Sequence, residues 1–253
     1  MERRVLPPRP DWQQIVAEQG LTFYLTDDRP YWDESACYVF SAAEIDALET
    51  ATYALDRMCL DAVEYAIKHE LWEQFQIPTP FVPLIKISWQ VDEQTVYGRF
   101  DLAFDGSIPK LLEYNADTPT GVIEAAVIQW FWLQDVFGGN QYDQFNSIHE
   151  RLIEAWKTVR LREGDALYFC SIDDRYEDFM TTQYLRDTAM QAGHETEYIA
   201  MDDIGWSEHD HVFTDLHRRP MRTIFKLYPW EWLAREEFAK QLIVNTSRWI
   251  EPP

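Results

Sequence analysis

Ile45, Leu48, Leu55, Cys59, Ala62 and Ala66, with Thr52 filling the same stripe, recur at the spacing of one helical face. Ser41-Ala-Ala-Glu44 just before them has the form of a capping box. Together they predict one long amphipathic helix running toward the proline-rich IPTPFVP. After Pro83 the pattern reads as a strand, pauses at VDEQT, and enters two alternating runs, YGRFDLAF and KLLEYNA, that predict a hairpin. Thr118-Pro119 offers a helix N-cap with proline at the first helical position. The apolar GVIEAAVIQWFWLQDVF then predicts a mostly buried helix closed by Gly138-Gly139, and SIHERLIEAWKTVRL a further helix. From Asp165 onward, ALYFCS, EDFMTTQYLRDTAMQAG and ETEYIA read as strand, helix and strand, a βαβ unit with a parallel sheet. RTIFKLY is another strand, and PWEWLAREEFAKQ a short helix opened by Pro229. The fold class is α/β, with no internal repeat, low-complexity tract or long linker.

The 253 residues, 46% hydrophobic, are enough for one large domain or two modest ones. With 44 acidic against 22 basic side chains, the formal charge of -22 repels nucleic acid and anionic lipid. It suits either a cationic small molecule or partner, or simply a solvated acidic surface. MERRVLPPRP has no apolar run behind its basic residues, so neither a signal peptide nor a membrane anchor is expected there, and a cytoplasmic location is. Cys37, Cys59 and Cys170 are widely spaced and read as buried thiols. His209 and His211 come nearest to metal-ligand spacing but lack a helical motif around them, so a solvated turn is expected. The sequence is silent on oligomeric state.

Alternation in the hairpin puts Phe100, Leu102 and Phe104 on one face and Arg99 and Asp101 on the other; Leu112, Tyr114 and Ala116 share a face opposite Glu113 and Asn115. Two carboxylates and an amide oxygen form a cluster of hard donors that suits Mg²⁺ held jointly by protein and nucleotide phosphates. Arg99 beside them can bridge a phosphate or carboxylate in bidentate fashion. An exposed sheet face with cross-strand ion pairs has the same pattern. A two-residue Asp105-Gly106 turn would throw the two ligand sets onto opposite faces. A joint site therefore requires an odd loop of about three or five residues, the longer one placing Asp101 opposite Glu113 and Pro109 outside the ladder.

RFDLAFDG with KLLEYNADTPT resembles the synthetase module of the glutathionylspermidine synthase family, and SIDDRYEDFMTTQYLRDTAMQAGHETEYI and FKLYPWEWL extend the resemblance over almost the whole chain. The resemblance implies an ATP-grasp-type ligase fold, ATP and Mg²⁺ as cofactors, and amide formation between a peptide or other carboxylate and an amine or polyamine. By position it makes Asp101, Glu113 and Asn115 the metal ligands and Arg99 the catalytic arginine that also contacts ATP. Thr118 and Thr120 match substrate hydroxyls, with threonine where the bifunctional enzymes of the family carry serine. Glu177 and Asp178 match an acidic pair near the substrates; an acidic first turn favoured by the helix dipole is the alternative. Lys226 matches a lysine contacting ATP, where a solvated strand lysine is the alternative.

On this resemblance residues 1–160 form the metal and substrate side, 161–220 a βαβ pre-ATP-grasp-like segment, and 221–253 the start of the nucleotide-binding subdomain. The family module continues past the residues aligned with RWIEPP. The chain is therefore expected to be incomplete at its C-terminus and inactive on its own. Two rival readings are a non-catalytic peptide- or polyamine-binding remnant and, from the 11 Trp and many carboxylates, a glycoside hydrolase.

Overall fold

The structure is a computed structural model that describes residues 1–26, 29–138, 142–173 and 176–253. Its strands are β1 Glu2–Val5, β2 Leu25–Thr26, β3 Arg29–Pro30, β4 Ala36–Val39, β5 Arg99–Ala103, β6 Lys110–Asn115, β7 Leu167–Ser171, β8 Thr196–Ala200, β9 Gly205–Ser207, β10 Val212–Thr214, β11 Thr223–Leu227 and β12 Arg248–Ile250. Its helices are α1 Trp12–Glu18, α2 Ala42–Lys68, α3 Val82–Val91, α4 Gln129–Phe137, α5 Ile148–Thr158, α6 Tyr176–Gln191, α7 Trp230–Leu233 and α8 Ala239–Val244. They form two compact units, one of Met1–Cys59, Arg99–Tyr114 and Gly121–His149, the other of Leu60–Gly98, Asn115–Thr120 and Glu150–Pro253.

In the first unit β1 pairs antiparallel with β4, and β5 with β6 forms the expected hairpin. Arg9 is buried there because its charge is answered: Glu34 Oε1 lies 2.6 Å from Nη2, and the Trp32 indole donates to the same carboxylate at 3.1 Å. The capping box at the start of α2 is formed, with the Ser41 amide donating to Glu44 Oε2 at 2.8 Å and the Glu44 amide to Ser41 Oγ at 3.3 Å. The helix entered after the hairpin does not start at Thr118. Gly121 holds a left-handed φ of 82°, a conformation that does not belong in a helix, and helical geometry begins at Val122. It opens with a π-helical turn, Glu124–Ile128, runs into α4, and is closed by Gly138 at φ 68°. Gly139 lies outside the described residues.

The second unit is built on a four-stranded sheet in the order β12-β11-β7-β8, parallel throughout. β7 and β11 are buried along their whole length, as central parallel strands must be. One face carries Phe169 and Phe225 against Trp156 of α5, at ring distances of 5.4 and 5.7 Å. The other face carries Tyr168, Cys170 and Ile224 into a core shared with Phe213, Leu233, Leu242 and Trp249. Strands on either side of residue 220 thus share one sheet and one core.

The segment after Pro83 is helix α3, not a strand. Its alternating apolar residues do not line a common buried face: Ile87 and Val91 are exposed, whereas Leu84 packs on the core and Ser88 is buried. Pro83 sits in the first turn, where its fixed φ favours a helix, and Asp92 ends the helix at φ 51°. Among the described residues no helix is long and apolar enough to cross a membrane.

Candidate active site

The hairpin gathers one group of candidate residues. Phe100 and Tyr114 stack at 4.0 Å between ring centroids, so the apolar faces of β5 and β6 coincide. Arg99, Asp101 and Glu113 consequently occupy the opposite face together. Rings in contact on one shared face require the odd loop that a joint site needs. Arg99 forks onto Asp101, Nε to Oδ1 at 2.8 Å and Nη2 to Oδ2 at 3.3 Å, and each side chain keeps more than a third of its surface in solvent. This hydrogen-bonded carboxylate, with Glu113 as a lesser contributor, raises the Arg99 pKa, so the guanidinium is charged at any working pH. A Cβ added to Gly121 would lie 3.9 Å from Arg99 Cδ, so the backbone here runs close beside the arginine.

Asp101 and Glu113 offer two hard carboxylates on a partly solvated face, and Asn115 ends the same strand on the same side by alternation. Among the described residues no three His, Cys, Asp or Glu side chains assemble into a metal cage, and His209 stands exposed beside Asp210. The hairpin donors fit Mg²⁺, which keeps water and phosphate ligands and takes only one or two carboxylates from protein; they do not fit a cation that needs an all-protein shell.

In the second unit Asp117 organises the turn that carries Thr118 and Thr120. Its Oδ1 pairs with the Lys226 ammonium, and its Oδ2 accepts the Trp230 amide at 2.9 Å. Lys226 is not the solvated strand lysine of the alternative reading: its side chain is fully buried, with Nζ 5.0 Å from the Trp230 ring centre. Burial pulls its pKa down, against the attraction of Asp117. An ATP contact by Lys226 would therefore require the groups that cover its ammonium to move aside.

Glu251 completes this cluster. It is 1% exposed, its Oε1 accepts the amides of Val96 at 2.9 Å and Tyr97 at 3.4 Å, and its backbone carbonyl accepts the Trp230 indole N–H at 3.0 Å. Burial raises its pKa to about 7, partly offset by those two amides and by Lys226. The Tyr97 hydroxyl donates to the Pro119 carbonyl.

Glu177 and Asp178 are half-buried in the first turn of α6, the helix that follows β7. β7 leads through α6 to β8 on one side, while β11 pairs with β12 on the other, so the strand order reverses between β7 and β11. The carboxyl ends of strands at such a reversal form a natural ligand crevice. Lys226, paired in register with Cys170, stands at that end of β11.

Sequence reasoning missed Asp117, Trp230 and Glu251. Asp117 lies inside the quoted EYNADTPT run, where its neighbours drew attention, and an acidic residue between turn formers is an ordinary surface pattern. Glu251 sits in WIEPP, where nothing in the sequence marks it as buried.

A family model for the glutathionylspermidine synthase pre-ATP-grasp region matches residues 3–253. The chain belongs to this family. Among curated proteins, one from Haemophilus influenzae named "Putative acid–amine ligase" is 39% identical over 251 residues, covering 97% of this chain and 64% of the relative. The bifunctional glutathionylspermidine synthetase/amidase of Escherichia coli K12 is 29% identical over 199 residues, covering 77% of this chain and 31% of the relative. Trypanothione synthetase of Crithidia fasciculata is 28% identical over 172 residues, covering 66% and 26%. The chain thus spans less than two thirds of each of these relatives, and as a member of the family it is related to ligases.

Proposed function

We propose that this glutathionylspermidine synthase family member supplies the metal-binding and acyl-substrate side of an ATP-dependent acid–amine ligase. The observation that carries the reading is the shared hairpin face: a permanently charged arginine, hydrogen-bonded to one carboxylate and beside a second, in a chain whose relatives are named as ligases. A carboxylate oxygen of the acyl substrate would attack the γ-phosphorus of ATP, releasing ADP and leaving an acyl phosphate. The amine nitrogen would then attack the acyl carbon, phosphate would leave with the carbon–oxygen bond pair, and the proton lost by the nitrogen would pass to the departing phosphate or to solvent.

Asp101, Glu113 and Asn115 would hold Mg²⁺, which when bound neutralises phosphate charge. Arg99 would turn from Asp101 toward the transferred phosphoryl group and stabilise charge developing on it. Thr118 and Thr120 would hydrogen-bond the acyl substrate, a peptide or other carboxylate. Glu177 and Asp178, at the carboxyl end of the parallel sheet, would attract the amine or polyamine as a cation.

The complete burial of Lys226 behind Asp117 favours a second reading, a peptide- or polyamine-binding protein without turnover. ADP release with ATP, Mg²⁺, glutathione and spermidine separates the two, measured on the chain alone and joined to the part of the Haemophilus influenzae relative outside the match. The ligase reading predicts ADP and amide in equal amounts in the joined protein, lost in Arg99→Ala. Saturable binding of glutathione or spermidine with no ADP from either form supports the second reading.

A further inference from the structure

The hydrogen bonds around the Asp117–Thr120 turn close into a circuit. Asp117 accepts the Trp230 amide, the Trp230 indole donates to the Glu251 carbonyl, the Glu251 carboxylate accepts the Val96 and Tyr97 amides, and the Tyr97 hydroxyl returns to the turn at the Pro119 carbonyl. We propose that Glu251 and Tyr97 are positioning residues, which hold Thr118 and Thr120 in the geometry that receives the carboxylate-bearing substrate. The assignment of that substrate rests on the ligase reading above; the positioning does not.

Three features argue that the circuit is more than packing. A carboxylate buried to 1% exposure is costly, and an amide of the same shape would accept the same two backbone donors. Among the described residues Glu251 Oε2 has no hydrogen-bond partner, while Oε1 holds the Val96 and Tyr97 amides. The two tethers also grip the turn on both sides of Thr118: Asp117 before it and Pro119 after it. With both neighbours fixed, the backbone directions at Thr118 are set, more so because it precedes a proline, and the held carbonyl of Pro119, itself buried, fixes the peptide plane that leads into Thr120. A hydroxyl aimed from a turn held in this way meets a substrate without first paying the ordering entropy of a loose loop.

The test is amide hydrogen exchange, resolved by mass spectrometry over residues 94–121 and 226–234, on the full chain and its Tyr97→Phe, Glu251→Ala and Glu251→Gln variants, with glutathione titrated into each. Tyr97→Phe removes one hydroxyl and no volume of consequence, so it should leave the midpoint of thermal unfolding nearly unchanged. Expected are exchange at least tenfold faster at the Trp230 amide, which Asp117 accepts, in Tyr97→Phe and Glu251→Ala, near wild-type exchange in Glu251→Gln, and glutathione bound about tenfold more weakly by the two loosened variants. Wild-type exchange rates in both Tyr97→Phe and Glu251→Ala would overturn the proposal, as would a loosened turn that binds glutathione as tightly as before. A wild-type chain that ignores glutathione would count against the peptide-ligase reading instead, and the exchange rates would then decide the positioning by themselves.

Discussion

Asp117 receives the buried ammonium of Lys226 on one carboxylate oxygen and the backbone amide of Trp230 on the other. Within the second unit the pair joins the turn after β6 to the carboxyl end of β11. Its energetics are asymmetric, because removing Asp117 strands a fully buried ammonium, whereas removing Lys226 leaves a carboxylate that is partly exposed.

Asp117→Asn keeps an acceptor for Trp230 but leaves Lys226 without a counter-charge. The expected loss of stability is about 3 kcal/mol, toward the lower end for a broken buried pair because Asp117 is itself partly exposed. Adding Lys226→Met removes the stranded charge and should restore most of it. Urea denaturation of the single and double variants measures both, and a single variant as stable as wild type would show that the pair is open in solution.

Glu251 sets a pH dependence whose sign follows from burial. Its folded pKa of about 7 lies above the ordinary 4.5, so between those values the folded chain holds more protons than the unfolded one. Its stabilising contribution is present in full below about pH 4.5 and is lost as pH rises through about 7. Between pH 5 and pH 8 wild type should lose about 2–3 kcal/mol more than Glu251→Gln, which cannot ionise. Parallel stability profiles for the two proteins would mean that water reaches this carboxylate.

Ser41→Ala deletes one half of the capping box that opens α2. No residue of that 27-residue helix is buried, so packing does not mask the loss. The expected cost is about 1 kcal/mol, seen as a lower thermal midpoint with reduced helicity in the far ultraviolet. No change in either would assign the start of α2 to tertiary contacts.

Where the apolar pattern and burial agree, the fold was legible. The βαβ unit is plain in the sequence because ALYFCS becomes a strand buried on both faces and Gly193 ends the crossover helix at φ 99°. PLIKISWQV alternates like a strand yet forms α3, since a proline in the first turn outweighed a pattern whose apolar members Ile87 and Val91 face solvent. At the site, the shared face of Arg99, Asp101 and Glu113 follows from the alternation of β5 and β6. The Asp117–Lys226–Glu251 cluster does not, because it depends on contacts across more than a hundred residues of chain that no local spacing encodes.

On the proposed ligase reading, Asp101 and Glu113 bind one divalent cation together with nucleotide phosphate beside Arg99. Titration of Mn²⁺, as a paramagnetic stand-in for Mg²⁺, into the chain with ATP present tests it most directly, read by electron paramagnetic resonance in wild type, Asp101→Asn, Glu113→Gln and Arg99→Ala. The two carboxylate substitutions nearly conserve volume and remove one ligand charge each. The account predicts that each weakens nucleotide-dependent Mn²⁺ binding by at least tenfold, that Arg99→Ala weakens ATP more than the metal, and that the fold survives in all three. Mn²⁺ and ATP bound as tightly by all three variants as by wild type would show the hairpin face to be a solvated surface and contradict the account.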